Sequence, residues 1–134
     1  MNKFEELEFG PSLWPDGFNL IPRYLFEQIE GIKIDLDTLY KIGPGCISAG
    51  AVVYPITDGE HKIKGMLWVE GNFIEDVICV RFLSIDPEYQ NGKAIEKTVE
   101  FLKAKGKTIQ WATDRPEVFE RKGFKRAEQV LMEI

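Results

Sequence analysis

The chain has 134 residues, of which 44% are hydrophobic and 29% charged, and a net charge of −5. That length suits a single domain able to bury about two-thirds of its unfolded surface, and the composition excludes a disordered or low-complexity chain. No apolar run approaches the ~20 residues that span a bilayer, and Glu5, Glu6, Glu8 and Asp16 at the start argue against a secretory leader.

The first stretch, Phe9-Gly10-Pro11-Ser12-Leu13-Trp14-Pro15-Asp16-Gly17, is turn-rich and predicts irregular structure. Pro22 opens a short helix over Arg23–Glu30, with Leu25, Phe26 and Ile29 on one face and Gly31 after its end. Asp35 or Asp37 caps a second helix around Leu36–Ile42, expected to stop at Gly43-Pro44-Gly45. Small and β-branched residues over Cys46–Ile56 predict a strand, and Thr57-Asp58-Gly59-Glu60 supplies its turn. Lys62–Glu70 is a second strand. Phe73–Ile85 is a long apolar one, suited to burial on both faces. Short turns join these three into an antiparallel meander.

The period then changes. Ile95, Val99 and Leu102 recur at helical spacing and Gly106 closes that helix. Lys107–Thr113 is a strand, Pro116–Lys122 a short helix and Phe124–Ile134 a final strand. The expected fold class is α/β (α+β, with a mixed sheet): a meander, then strand, helix, strand, helix, strand. Residues 1–134 form one domain, with a helical segment at 1–45 and the sheet and core helices at 46–134.

Cys46 and Cys79 lack CxxC spacing, and His61, the one histidine, falls in a turn, so neither a zinc site nor a disulfide is expected. Charge is uneven. Residues 1–40 sum to −5 and residues 41–90 to −3, whereas residues 91–126 hold ten basic and five acidic side chains. Such a segment suits an anionic ligand without attracting nucleic acid broadly, or is a set of solvated lysines.

Residues 65–126 carry a family likeness. The strand ending Phe82-Leu83-Ser84-Ile85-Asp86, the phrase Pro87-Glu88-Tyr89-Gln90, the turn Gly92-Lys93-Ala94 with its helix, and Phe119-Glu120-Arg121-Lys122-Gly123-Phe124 resemble, in order and separation, the core of the GNAT N-acetyltransferases. The resemblance implies acetyl-CoA as ligand and no metal. It implies a bulged fourth strand, splayed from the fifth, whose backbone at Leu83, Ser84 and Ile85 meets the pantetheine arm. It places the pyrophosphate on bare backbone at Gln90, Asn91, Gly92, Lys93 and Ala94, at a helix N-terminus, with Lys93 and Lys97 near it. A base acting through water would be Glu75 or Asp76; their other reading is a pair of solvated carboxylates. Tyr89 and Trp68 read as packing residues.

Two positions depart from the family pattern. Aligned without a gap from Gln90, the family's glycine positions fall on Lys93 and Ile95. With one insertion, Gly92-Lys93-Ala94-Ile95-Glu96 matches Gly-Lys-Gly-Ile-Gly and sets the Glu96 carboxylate beside the pyrophosphate. Phe119 stands where many members carry the tyrosine that protonates the leaving thiolate, and phenylalanine has no proton to give. The chain therefore resembles motif-degenerate members of bacteriophage type, some of them virion proteins. That likeness implies a binding or structural module with weak or no acetyl transfer, cytoplasmic or in a virion, with a protein partner or a second copy. The alternative is an active acetyl-CoA-dependent N-acetyltransferase acting on a small-molecule or protein amine.

Overall fold

The computed structural model describes residues 3–72, 74–89, 93–105, 108–127 and 131–134. Five strands make one mixed sheet in the order β1 (Glu8–Phe9), β2 (Ala51–Thr57), β3 (Ile63–Asn72), β4 (Val77–Ile85) and β5 (Thr108–Trp111). β1 to β4 pair antiparallel; β5 runs parallel to β4, as the strand–helix–strand reading requires. The helices are α1 (Arg23–Glu27), α2 (Leu36–Ser48), α3 (Ala94–Lys103) and α4 (Pro116–Glu120).

Side chains alternate across the sheet and give it two buried faces. Leu67 and Val69 of β3 join Ile56, Ile78, Val80 and Leu102 on the α3 side. Met66 and Trp68 join Phe18, Leu25, Phe26 and Leu39 on the α1–α2 side. Burial of this kind stabilises a structure by roughly 1.5–3 kcal/mol for each large apolar side chain.

Three expectations need correction. α2 does not stop at Gly43-Pro44-Gly45 but runs through it to Ser48, so β2 begins at Ala51 instead of Cys46. Pro44 removes one helical hydrogen bond, but the face holding Leu39, Gly43 and Ile47 packs against the second core, and that packing outweighs the local breaker. The long strand begins at Val77, after a turn at 74–76 in which Asp76 has φ 54°; Phe73 lies outside the described residues. The last strand is not formed within the described part of 124–134: residues 124–127 and 131–134 have no strand structure, and Leu131, Met132 and Ile134 are exposed. Gly106 also lies outside the described residues. The sequence reading had no counterpart for β1 or for two 3-10 segments, Phe4–Glu6 and Pro15–Leu20.

Candidate functional site

The feature that organises the site is a mismatch of strand lengths. β5 pairs with β4 only from Val77 to Val80; it ends at the last pair, Val80 with Trp111, and β4 runs on to Ile85 without it, which leaves a parting on that side of β4. At the same place β4 carries a bulge. Trp68 pairs with Phe82 and Val69 with Val80, so Arg81 is an extra residue opposite β3. The bulge shifts the alternation by one, which is why Ile78 and Val80 share a face with Leu83 and Ile85. Arg81 itself is exposed and pairs with Glu70 at 3.0 Å.

The direction of the backbone groups past the bulge follows from the register. Asp86 N–H donates to Lys64 O at 2.7 Å, making that the hydrogen-bonded pair of the ladder. Gly65–Ile85 and Leu67–Leu83 are then non-hydrogen-bonded pairs, and the N–H and C=O of Leu83 and Ile85 point away from β3 into the parting. Ser84 turns its backbone to β3.

A polar cluster from α1 covers the far end of this edge. The buried Ser84 hydroxyl donates to Leu25 O at 2.5 Å and accepts from Gln28 Nε2 at 2.7 Å, while the same amide donates to Ile85 O at 2.6 Å. Tyr24 donates to Asp86 Oδ2 at 2.6 Å, and Asp86 Oδ1 accepts from Glu88 N–H at 2.9 Å. Burial, then the hydrogen bond to Asp86 and its charge, push the Tyr24 hydroxyl well above its ordinary value. Burial raises the Asp86 carboxyl, but hydrogen bonds from Tyr24 and Glu88 N–H and the charge of Lys64 outweigh it and leave the group lowered. Sequence reasoning found Ser84 and missed Tyr24, Gln28 and Asp86, because residues 56 to 62 positions apart share no periodic signal.

At the N-terminus of α3 one backbone N–H, that of the cap residue Lys93, is met by a carboxylate of the chain itself. The Lys93 N–H donates to Oε1 of Glu5, which arrives on the Phe4–Glu6 turn, at 3.2 Å. Phe4 and Leu7, both buried, anchor that turn in the first core. Hydrogen bonds from its own N–H and that of Lys93, then the charges of Lys97 and Lys3, hold the Glu5 carboxyl below its usual range against a smaller effect of burial. One turn on, Glu96 forms an ion pair with Lys122, and its other oxygen, Oε2, is buried without a partner. That ion pair lowers the Glu96 carboxyl against burial, helped by its own N–H and by Lys93. A free helix N-terminus favours an anion, and here the anions are the chain's own carboxylates. Gln90, Asn91 and Gly92 lie outside the described residues. The arrangement fits acetyl-CoA in part. The parted edge of β4 suits a pantetheine arm; the α3 terminus as built does not suit a pyrophosphate, since each pair of like charges at ~4 Å repels by about 1 kcal/mol in water and more where solvent is excluded.

Phe119 sits on the β5 side of the parting. It is 9% exposed and packs against Trp111 at 5.0 Å and Phe124 at 5.2 Å between ring centroids. Glu75 and Asp76 stand at the opposite, closed end of β4, where Thr108 N–H donates to Asp76 O at 3.2 Å. From Asp76 to Leu83 is roughly 23 Å along a strand. Tyr89 and Trp68 are buried packing residues. Among the described residues no group of three or more His, Cys, Asp or Glu could hold a metal ion, and no helix is long and apolar enough to cross a membrane.

No family model matches the sequence, and no curated protein matches it. Solved structures do match its shape. A spermidine/spermine N-acetyltransferase of Vibrio cholerae, in mutant forms, is 16% identical with a TM-score of 0.63, over 89% of this chain and 77% of the other. Glucosamine-6-phosphate N-acetyltransferase of Arabidopsis thaliana is 16% identical with a TM-score of 0.61, over 96% and 97%. An aminoglycoside acetyltransferase from an uncultured soil metagenomic sample is 21% identical with a TM-score of 0.57, over 97% and 95%. Identities this low speak for the shared fold alone.

Proposed function

From the GNAT fold that this chain adopts, we propose a binding or structural module whose acetyl-CoA seat is degenerate and whose acetyl transfer is weak or absent. The observation that carries this reading is the Glu5 carboxylate on the Lys93 N–H, at the helix terminus a pyrophosphate would need. Two further features agree with it. Glu96 and its ion pair occupy the next turn, and the buried Phe119 offers no hydroxyl to a departing thiolate. Such a module works through a protein partner or a second copy, in the cytoplasm or a virion, after the style of the motif-poor phage proteins that the sequence resembles.

A second reading is favoured by the parted strands. Backbone groups of Leu83 and Ile85 turn into the opening, where a thioester would lie beside amide donors able to stabilise an oxyanion. In that reading the protein is an acetyl-CoA-dependent N-acetyltransferase, and Glu75 or Asp76 is its base only if a chain of waters spans the length of β4. Calorimetric titration with acetyl-CoA separates the two. The degenerate reading expects a dissociation constant no tighter than about 1 mM for the wild type, and roughly tenfold tighter binding in Glu5→Ala. Micromolar binding by the wild type, with turnover near the ~10 s⁻¹ typical of enzymes, would overturn it.

A further inference from the structure

Among the described residues β5 is the last strand of the sheet, and no strand pairs with its outer edge. Thr108 N–H donates to Asp76 O, so Thr108, and Gln110 two residues on, turn their backbone groups to β4. Ile109 and Trp111 therefore turn theirs outward. Among the described residues neither has a backbone partner on that side: the Phe124 ring touches Trp111, but residues 124–127 form no strand. An open edge of this kind is a template for a further strand.

A cavity of about 770 Å³ lies against this edge, between α3 and the segment after α4. Its walls carry four cations, Lys103, Lys122, Lys125 and Arg126, against one carboxylate, Glu75. Lys122 is engaged by Glu96 and Arg126 by Glu120, whereas Lys103 and Lys125 have no ion pair among the described residues. Val99, Ile109 and Phe124 add apolar surface between the charges. This concentration of positive charge stands out in a chain whose net charge is −5.

We infer that the outer edge of β5 is a docking groove for an extended acidic peptide of a partner protein. The peptide adds as a sixth strand, bonding the N–H and C=O of Ile109 and Trp111. Its carboxylates project to the α3 side, where Lys103 stands one turn from Val99 and Lys125 follows Phe124, and its other side chains turn to the opposite face of the sheet. Charge complementarity selects the acidic partner, because a basic strand would meet two unpaired lysines. The groove lies on the side of β5 away from β4, and Lys122, which pairs with Glu96, is the wall residue that it shares with the α3 terminus.

The probe is a fluorescein-labelled hexapeptide of alternating glutamate and valine, compared with its lysine–valine counterpart and with a version N-methylated on its bonding edge. Fluorescence anisotropy should show saturable binding of the acidic peptide below about 1 mM, weakening as salt shortens the screening length. Lys103→Glu with Lys125→Glu should weaken it by about tenfold or more, and N-methylation should abolish it. Amide exchange by NMR supplies a second readout: the Ile109 and Trp111 amides should exchange fast in the free protein and slowly with peptide. Equal binding of the lysine–valine peptide, or no binding of the acidic one at about 1 mM, would overturn the inference. So would slow exchange of those two amides in the free protein, which would mean that the chain's own C-terminal segment or a second copy covers the edge.

Discussion

Two glycines in one helix test whether packing governs α2. A Cβ placed on Gly43 would lie 2.3 Å from Cε1 of Phe18 and 2.4 Å from its Cζ, where carbon atoms in contact normally sit ~3.5–4.0 Å apart. The Phe18 ring has little room to retreat. It is fully buried among Phe26, Tyr40 and Trp68, with ring centroids 5.6, 5.3 and 5.9 Å away. Gly43 also precedes Pro44, whose Cδ crowds any side chain on the preceding helical residue. An overlap this deep, with Pro44 crowding added, belongs at or above the upper end of the ~1–3 kcal/mol that overpacking costs, and the better helix propensity of alanine returns at most ~1 kcal/mol. We expect Gly43→Ala to destabilise by about 2 kcal/mol or more. At ~2.1 cal/mol/K per residue for a chain of 134 residues, each kcal/mol moves Tm by about 3.5 °C, so Tm should fall by about 7 °C or more. Gly45 has nothing within 4 Å of its added Cβ, and Gly45→Ala should raise Tm by about 2–3 °C from propensity alone. Thermal melts followed by circular dichroism and calorimetry read both. A Gly43→Ala protein as stable as wild type, or two shifts of the same sign, would refute the packing argument.

Other perturbations address the site. Ser84→Ala leaves the buried Leu25 carbonyl and the Gln28 amide each short of a partner, and should cost about 1–3 kcal/mol in urea denaturation. Tyr24→Phe should cost about 1 kcal/mol at neutral pH. Asp86 titrates lower folded than unfolded, so its contribution is complete above the ordinary carboxylate range of ~4 and fades as pH falls through the folded value. The penalty of Tyr24→Phe should fade with it, and a penalty constant down to low pH would contradict the Tyr24–Asp86 account. Glu5→Ala, Glu96→Gly and Phe119→Tyr combined should raise acetyl transfer to a simple primary amine well above the wild-type background, since a general acid is worth ~10²–10⁴-fold. An inert triple variant would show that the cleft has been lost by other means.

How far the sequence could be read depended on the distance over which each feature is decided. α3 was legible because Ile95, Val99 and Leu102 repeat at helical spacing and Leu102 ends up fully buried. The parallel partnership of β4 and β5 followed from a helix lying between two apolar runs. The bulge leaves a trace too: apolar residues at 78 and 80 and then at 83 and 85 mark a slip in alternation around Arg81. The course of α2 through Gly43-Pro44-Gly45 was not legible, because local propensity points to a stop and only the buried Phe18 ring, 25 residues earlier in sequence, explains why it continues. Glu5 on Lys93 was further still out of reach. No spacing rule connects residues 88 apart; the contact exists because Phe4 and Leu7 pin a short turn beside α3.

In the proposed reading, the two halves of the acetyl-CoA cleft rest on different physics, so that one can persist while the other degrades. The parting of β4 from β5 is a consequence of packing. Eight residues of β4 pair with β3 and two buried faces hold it, while β5 contributes four, so beyond Val80 β4 has no second strand beside it among the described residues, and Gln28 of the α1 end meets it at Ile85. Any substitution that closed the parting would disturb residues such as Ile85 and Leu83 that the first core needs. The seat at the α3 terminus has no such protection. It depends on the absence of side-chain anions from the turn, and a single carboxylate such as Glu5, held on the surface by one backbone N–H, is enough to compromise it. On that reading a chain released from selection for acetyl-CoA binding loses the seat first and keeps the length mismatch of β4 and β5; the Glu5 carboxylate on the Lys93 N–H, with Leu83 turned from β3, is what the reading rests on.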